Sequence, residues 1–343
     1  MVGRLDDETL GGLLRDFANG WGRTVRVAVE RHLLFVKGVP LTDDEVRAGV
    51  TTANLYEIPT YLNYPFGSPG LGAGRELAFA RRSTGWVESG ACPGFPILVH
   101  DRVVPRHVVG GQEPPAGYSA YRGESPGMNR YLADRASANA YLVLVYEDIP
   151  FTAVNWLIDR PSDAAWILDD VRSTLRFLRE QDVVHFDVDL FNVLTDGRHA
   201  YLADHGLVLD GSFQLTDTER QFLKSHQHFD EGNLMMSFGH QLYWAYRALR
   251  ADERAKAAER LEVDGMPFEV AVSRLLDAFA GTGDGPFELE PTLRSLIERY
   301  RPVILHMHAF YSEARRNWDD TTRLDDAQLA RLLAAANDEP RRT

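Results

Sequence analysis

An α+β fold in two lobes, a β-rich N-terminal half (1–148) and a mainly helical C-terminal half (149–343), is what the sequence predicts. Three observations carry that expectation. Short β-like runs such as "TVRVAVERHLLFVKGV" and "AYLVLVY" crowd the first half. The composition then changes at Pro150, which ends the second of these runs. Beyond it, apolar residues recur at helical spacing rather than in alternation.

Residues 24–39 read as two strands joined near Glu30-Arg31, an antiparallel hairpin. Just before it, "NGWGRTV" places Gly20 and Gly22 so that the backbone can approach a ligand closely. The Gly-, Pro- and aromatic-rich stretch 54–74 reads as an irregular connection, in which Tyr56, Tyr61, Tyr64 and Phe66 are best explained by packing. A helix is expected over 74–90, a strand over 95–104 and a surface insertion over 105–130. The strand at 140–146 runs into "EDIP", where the lobe boundary falls. In the second half, Ile167, Val171, Leu175 and Leu178 fall on one helix face. Leu234, Met235, Phe238, Leu242, Ala245 and Leu249 mark another helix, with Asp230 as its expected N-cap. The tail from about 325 is helical, ending in a polar "NDEPRRT" expected to fray.

The chain has 343 residues, 44% hydrophobic and 25% charged, which suits a globular protein able to bury a sizeable core. Its longest apolar runs are too short to span a bilayer, and the acidic start does not resemble a secretory signal, so a cytoplasmic location is expected. A lone cysteine, Cys92, excludes an internal disulfide and a cysteine-rich metal site. The net charge of −13 disfavours nucleic acid and anionic membranes as partners, because both need a cationic surface. Of the 37 cationic residues only Lys37, Lys224 and Lys256 are lysine. A lysine kept inside a strand, as Lys37 is, becomes a candidate for a role that arginine cannot fill.

The stretch "HFDVDLFNVLTDGRHAYLADHG" at 185–206 sets Asp187, Asp189, Asn192 and Asp204 beside two short apolar strands. Unpaired charge there is costly, so a cation and a reacting substrate are the natural compensators. A hairpin centred near Gly197 sets Asn192 opposite Leu202, with Asp204 about 7 Å further along. Two such oxygen donors suit Mg²⁺, which fills its remaining positions with water and phosphate. Asp187 lies on the loop entering the same end, placed to accept a proton from an attacking hydroxyl. Lys37 would hold phosphates, and Glu76 on the following helix is the candidate to hold Lys37.

These residues resemble, in order, the motifs of the protein-kinase-like superfamily. "HFDVDLFN" is similar to the H-R-D-x-x-x-x-N loop, "DHG" at 204–206 to D-F-G, "FVK" to the lysine strand and "GWGRTV" to a shortened Gly-rich loop. The resemblance implies ATP as phosphoryl donor, Asp187 as base and Asn192 and Asp204 as Mg²⁺ ligands. It also implies nucleotide contacts from Lys37, Glu76, Gly20 and Gly22 and from a hinge, "VYEDIP", that contains Glu147 and Ile149. Asp230 would support the loop from below.

Departures from that pattern narrow the expectation. Phe186 replaces the arginine that meets a phosphorylated activation loop, and Asp189 and Phe191 stand where a cation is common, leaving neutralisation to metal, Lys37 or another residue such as Lys224. His205 replaces the phenylalanine of D-F-G, and the segment from 204 to 230 is short. The expected activity is an ATP- and Mg²⁺-dependent phosphotransfer to a hydroxyl, with Ser/Thr of a protein or peptide as first acceptor. A small-molecule acceptor of aminoglycoside, choline or sugar type and a nucleotide-binding pseudokinase scaffold stand as alternatives. The pairs His226-x-His228 and His306-x-His308 are expected to be structural, since no cysteine cluster accompanies them.

Overall fold

The computed structural model describes residues 7, 10, 23–49, 51–65, 68–105, 125–280, 285–316 and 323–338. Gly20, Gly22, Phe66 and most of the 105–130 insertion lie outside the described residues.

Alternation in the first half produces a four-stranded antiparallel sheet of β1 (Arg23–Val29), β2 (His32–Leu41), β3 (Leu98–Pro105) and β4 (Ala140–Glu147), in the order β1-β2-β4-β3. The β1–β2 hairpin turns at Glu30 and Arg31, and in β2 the two-residue period sorts the side chains. Leu34 and Val36 pack with Val143 and Val145 on one face, whereas Val39 and Leu41 pack with Ala73, Leu77 and Ala80 of a helix on the other. Lys37 shares the parity of Val39 and so projects to the face that the helix covers.

That helix, α2 (Ala73–Glu88), follows a short α1 (Asp43–Ala48) that carries a Thr42/Glu45 capping box. Glu45 also ties α1 to the start of α2, its Oε1 accepting the Ala73 N–H at 2.8 Å. At Gly74 any Cβ would collide with the Thr51 carbonyl, so only glycine allows α2 to sit this deep. The helix expected over 74–90 therefore begins and ends slightly earlier. Part of the expected insertion is itself helical, as α3 (Pro126–Ser137), with Ser125 capping the Met128 N–H and Pro126 in the first turn.

Beyond β4 the chain forms β5 (Phe151–Thr152), α4 (Ala153–Asp159), α5 (Ala164–Glu180), β6 (Val183–Val184), β7 (Val193–Thr195), β8 (Ala200–Leu202) and β9 (Leu209–Asp210). It then becomes helical: α6 (Asp217–Lys224), α7 (Phe229–Ala248), α8 (Ala251–Leu261), α9 (Phe268–Ala278), α10 (Pro291–Arg316) and α11 (Asp326–Asp338). Ile167, Val171, Leu175 and Leu178 of α5 are buried in the main core as their spacing predicts, each stabilising the fold by about 1.5–3 kcal/mol. Leu234, Met235, Phe238 and Leu242 of α7 join them, and Tyr56, Tyr61 and Tyr64 are core residues too.

Two expectations need correction. Asp230 is not the N-cap of α7: His228 holds that position, and Asp230 stands inside the first turn with its carboxylate committed elsewhere. The hairpin is not centred on Gly197 either. Thr195 pairs with Ala200, so the loop has four residues, and Asp196 folds it by accepting the N–H groups of Arg198 and His199 at 2.8 Å each. The register consequently shifts by one. Asn192 faces Ala203, whose N–H it accepts at 2.9 Å, and Asp204 is the very next residue.

Candidate active site

The loop 185–192 is held on its underside by side chains from α7 and α10. The backbone N–H groups of His185 and Phe186 donate to the two carboxylate oxygens of Asp230 at 2.7 and 2.8 Å. Desolvation of that carboxyl outweighs those hydrogen bonds and pushes it up to about 7. Phe186 adopts φ +65°, a left-handed backbone costing roughly 1–3 kcal/mol in a non-glycine residue. Its fully buried ring, among Tyr64, Phe222, His226 and Phe229, offsets that strain. Asn233 Nδ2 donates to the Val188 carbonyl at 2.9 Å while its Oδ1 accepts the Tyr311 hydroxyl at 2.7 Å. Ser237 Oγ accepts the Leu190 N–H at 2.9 Å.

Asp189 folds the top of the loop. Its Oδ1 accepts the N–H groups of Phe191 at 2.6 Å and Asn192 at 3.1 Å. Asn192 Nδ2 donates back to the Asp187 carbonyl at 2.9 Å, which turns the amide oxygen of Asn192 away from the loop. Opposite stands Asp204, also left-handed at φ +59°. Gly206 N–H reaches its Oδ1 at 3.4 Å, and the Gly206 carbonyl accepts the Leu71 N–H at 3.0 Å, linking this segment to the approach to α2.

Lys37 joins the two halves of the chain. Its Nζ lies 2.6 Å from Glu76 Oε1 and 2.9 Å from Asp204 Oδ1. Burial works against the ammonium, but the two carboxylates overcome it and raise the lysine above its ordinary range. In the same way burial pushes the Asp204 carboxyl up while the Lys37 charge and hydrogen bond pull it down further, to about 2. Asp187 behaves oppositely. Burial and the charges of Asp189 and Asp204 hold its carboxyl well above the usual carboxylate range, against weaker pulls from Asn192 and Lys37.

His205 fills an apolar socket, with Phe79, Phe95 and Tyr146 around it. Its Nδ1 lies 3.4 Å from His185 Nε2, and His185 Nδ1 accepts the Asp187 N–H at 3.4 Å. Burial holds His185 down to about 4 and His205 well below its ordinary value, so both rings are neutral near pH 7.

A cavity of about 300 Å³ opens between the sheet and the 185–206 segment, and Lys37, Glu76, Asn192, Asp204, Glu147 and Ile149 all line it. Asp187 adjoins it through Asn192. Glu147 is turned partly aside, since its Oε1 accepts the Ile97 N–H at 2.9 Å. The Ile149 carbonyl is engaged as well. Arg26 of β1 pairs with Asp148 at 2.7 Å and donates to the carbonyls of Ile149 at 3.2 Å and Pro150 at 3.1 Å. Lys224 is exposed at the end of α6.

Several participants were missed in the sequence. Arg26 had a readable signal, because Thr24 and Arg26 alternate on β1 opposite Lys37 and Phe35 and both line the cavity. Asn233, Ser237 and Tyr311 had none, since they reach the loop only through helix packing.

No group of three or more His, Cys, Asp or Glu side chains suited to a metal occurs among the described residues. Asn192 and Asp204 form a two-residue oxygen set, a pattern suited to Mg²⁺ completed by water and phosphate. The amide oxygen released by the Asn192–Asp187 bond, together with the excess of carboxylates over cations around Asp187, fits such an ion.

No family model matches the chain, and no curated protein matches it in sequence. Among solved structures it is similar to one titled "WaaP in complex with acyl carrier protein", with a TM-score of 0.40 and 13% sequence identity. The match covers 91% of this chain and 93% of that one. Among the described residues no helix is long and apolar enough to cross a membrane.

Proposed function

We propose that this chain is a two-lobed, protein-kinase-like phosphotransferase that moves the γ-phosphoryl group of ATP to a hydroxyl, with the lobes meeting near residues 148–149. The observation that carries this reading is the Lys37 ammonium clamped between Glu76 at 2.6 Å and Asp204 at 2.9 Å on the wall of a cavity that Asn192 also lines.

The roles of the residues are separable. Lys37, kept cationic by its two acids, pairs with phosphate oxygens, and Glu76 holds it extended. Asn192 and Asp204 would hold Mg²⁺, which when bound neutralises the charge of the phosphates. Asp187 orients the acceptor hydroxyl and takes its proton as the new O–P bond forms and the bond from the γ-phosphorus to the bridging oxygen breaks, releasing ADP. Its raised proton affinity suits a base. The neutral His185–His205 pair adds no positive charge beneath the reaction, so stabilisation of the developing charge falls to Lys37 and the ion.

Incubation with γ-labelled ATP and Mg²⁺ tests the proposal. ADP release together with transfer of label to a hydroxyl, abolished in Asp187→Asn while nucleotide binding persists, is the expected result. Nucleotide binding without any turnover across protein, peptide and metabolite acceptors would instead assign the chain to the scaffold class.

A further inference from the structure

A second cavity, of about 430 Å³, lies beside the 185–192 loop, between α7, α9 and α10. Asp189 forms part of its wall, and so does Tyr311, whose phenol is raised by burial and by the charges of Asp187 and Asp189. The cavity thus adjoins the loop at Asp189 and lies within electrostatic reach of Asp187. Its volume falls in the roughly 300–1,000 Å³ range of small-molecule sites.

A row of rings connects the two cavities. Phe191, half exposed, lines the nucleotide cavity and meets Trp244 at 5.8 Å between ring centres. Trp244 meets Phe268 at 6.0 Å, Phe268 meets His240 at 5.0 Å, and His240 meets His308 at 5.3 Å. Phe268, His240 and His308 belong to the second cavity. Phe191 keeps about half of its surface exposed while its ring meets Trp244, so one edge of the row remains open to a ligand.

The charge of the cavity narrows its occupant. Burial holds His240 down to about 3 and His308 down to about 4, so both imidazoles are neutral donor–acceptor groups. Glu269 and Arg315 pair at 2.7 Å and cancel one another. Asp189 has one oxygen committed to two backbone N–H groups. No surplus of cations is present to hold a phosphorylated ligand, and one carboxylate is too little for a polycation. Rigid apolar plates beside neutral hydrogen-bonding groups match a ring that is apolar on its faces and hydroxylated at its edge.

We propose that this second cavity is the acceptor site and that its ligand is a small, uncharged, hydroxyl-bearing ring compound of the sugar class, one hydroxyl of which is delivered to Asp187 past the Phe191–Trp244–Phe268 row. The assignment of the cavity as acceptor site rests on the phosphotransferase reading; its affinity for such rings does not. Saturation-transfer NMR on the full chain, with methyl pyranosides and unphosphorylated inositols as probes and no nucleotide added, reads that affinity directly. Saturation should reach the ring C–H protons of at least one probe and fall at least tenfold in Ser312→Trp, which fills the mouth of the cavity without removing a buried side chain, and in Phe268→Ala. Circular dichroism on the same samples establishes that the variants are folded. Absence of transfer to every probe, or equal transfer in Ser312→Trp, overturns the inference. Phosphorylation of Ser/Thr peptides at a rate that Ser312→Trp leaves untouched would overturn it while leaving the phosphotransferase reading intact. Ring binding without ATP turnover would uphold the pocket and defeat the phosphotransferase reading.

Discussion

Arg75, one residue before Glu76, is the place to test whether the position of α2 is set from the C-terminal half of the chain. Its guanidinium is almost fully buried, pairs with Glu219 Oε1 at 2.7 Å and donates from Nε to the Thr52 carbonyl at 2.8 Å. Glu219 is equally buried and also closes the capping box of α6 with Thr216. Replacing Arg75 with methionine leaves a buried carboxylate without its cation, a change that costs about 3–5 kcal/mol where a buried pair is broken from one side. Against a total stability of roughly 5–15 kcal/mol that is a large fraction, and it should lower the melting temperature by on the order of 10 °C. Glu219→Gln keeps an oxygen for the helix cap while removing the charge, so the double variant should lose less than the two single variants combined, by about 2–3 kcal/mol. Urea denaturation of the four proteins supplies the cycle. Nucleotide affinity should fall in Arg75→Met as well, because a loosened α2 no longer presents Glu76 to Lys37. A single variant within about 1 kcal/mol of wild type and an additive cycle would show that α2 is seated without this pair.

Three further outcomes follow from the site. As the proposed base, Asp187 has to be ionised, and its carboxyl is raised by burial, Asp189 and Asp204, so kcat/KM should fall on the acid side above the ordinary aspartate range; Asp189→Asn should move that limb to lower pH in a pH–rate profile. Lys37→Met should weaken ATP binding at least tenfold by calorimetry. It should also flatten the acid limb of stability, since a carboxyl depressed to about 2 contributes stability that is present above the unfolded value of 3.8 and lost as pH falls toward 2. Arg26→Ala should lower the KM for ATP with kcat unchanged, because the guanidinium occupies the Ile149 and Pro150 carbonyls at the cavity mouth; a raised KM would mean that Arg26 contacts the nucleotide instead.

Legibility of the site followed the range of the interactions involved. Lys37 stood out because lysine is so scarce, and Glu76 because it is a carboxylate on the helix that follows. The one-residue error in the 193–202 hairpin arose from centring the loop near Gly197, when the Asp196 carboxylate organises Arg198 and His199 into a four-residue loop. Asp230 carried two expectations. As a capping residue type near a helix start it suggested the cap, which His228 takes instead, whereas the loop support that the resemblance implied is what its oxygens provide, to backbone donors 44 and 45 residues away. The support from Asn233, Ser237 and Tyr311 and the buried Arg75–Glu219 pair depend on helices meeting at specific turns, which no local pattern encodes.

The scarcity of lysine has a chemical consequence. Lys224 and Lys256 are exposed, whereas Lys37 is pinned in its protonated, unreactive form by two acids. Amine-selective acylation of the folded chain should therefore spare residue 37 and modify the other two. A reagent that carries its acyl group on a nucleotide's phosphates would reverse the order, making one ammonium among 37 cationic side chains the address at which occupancy of the cleft can be read by mass.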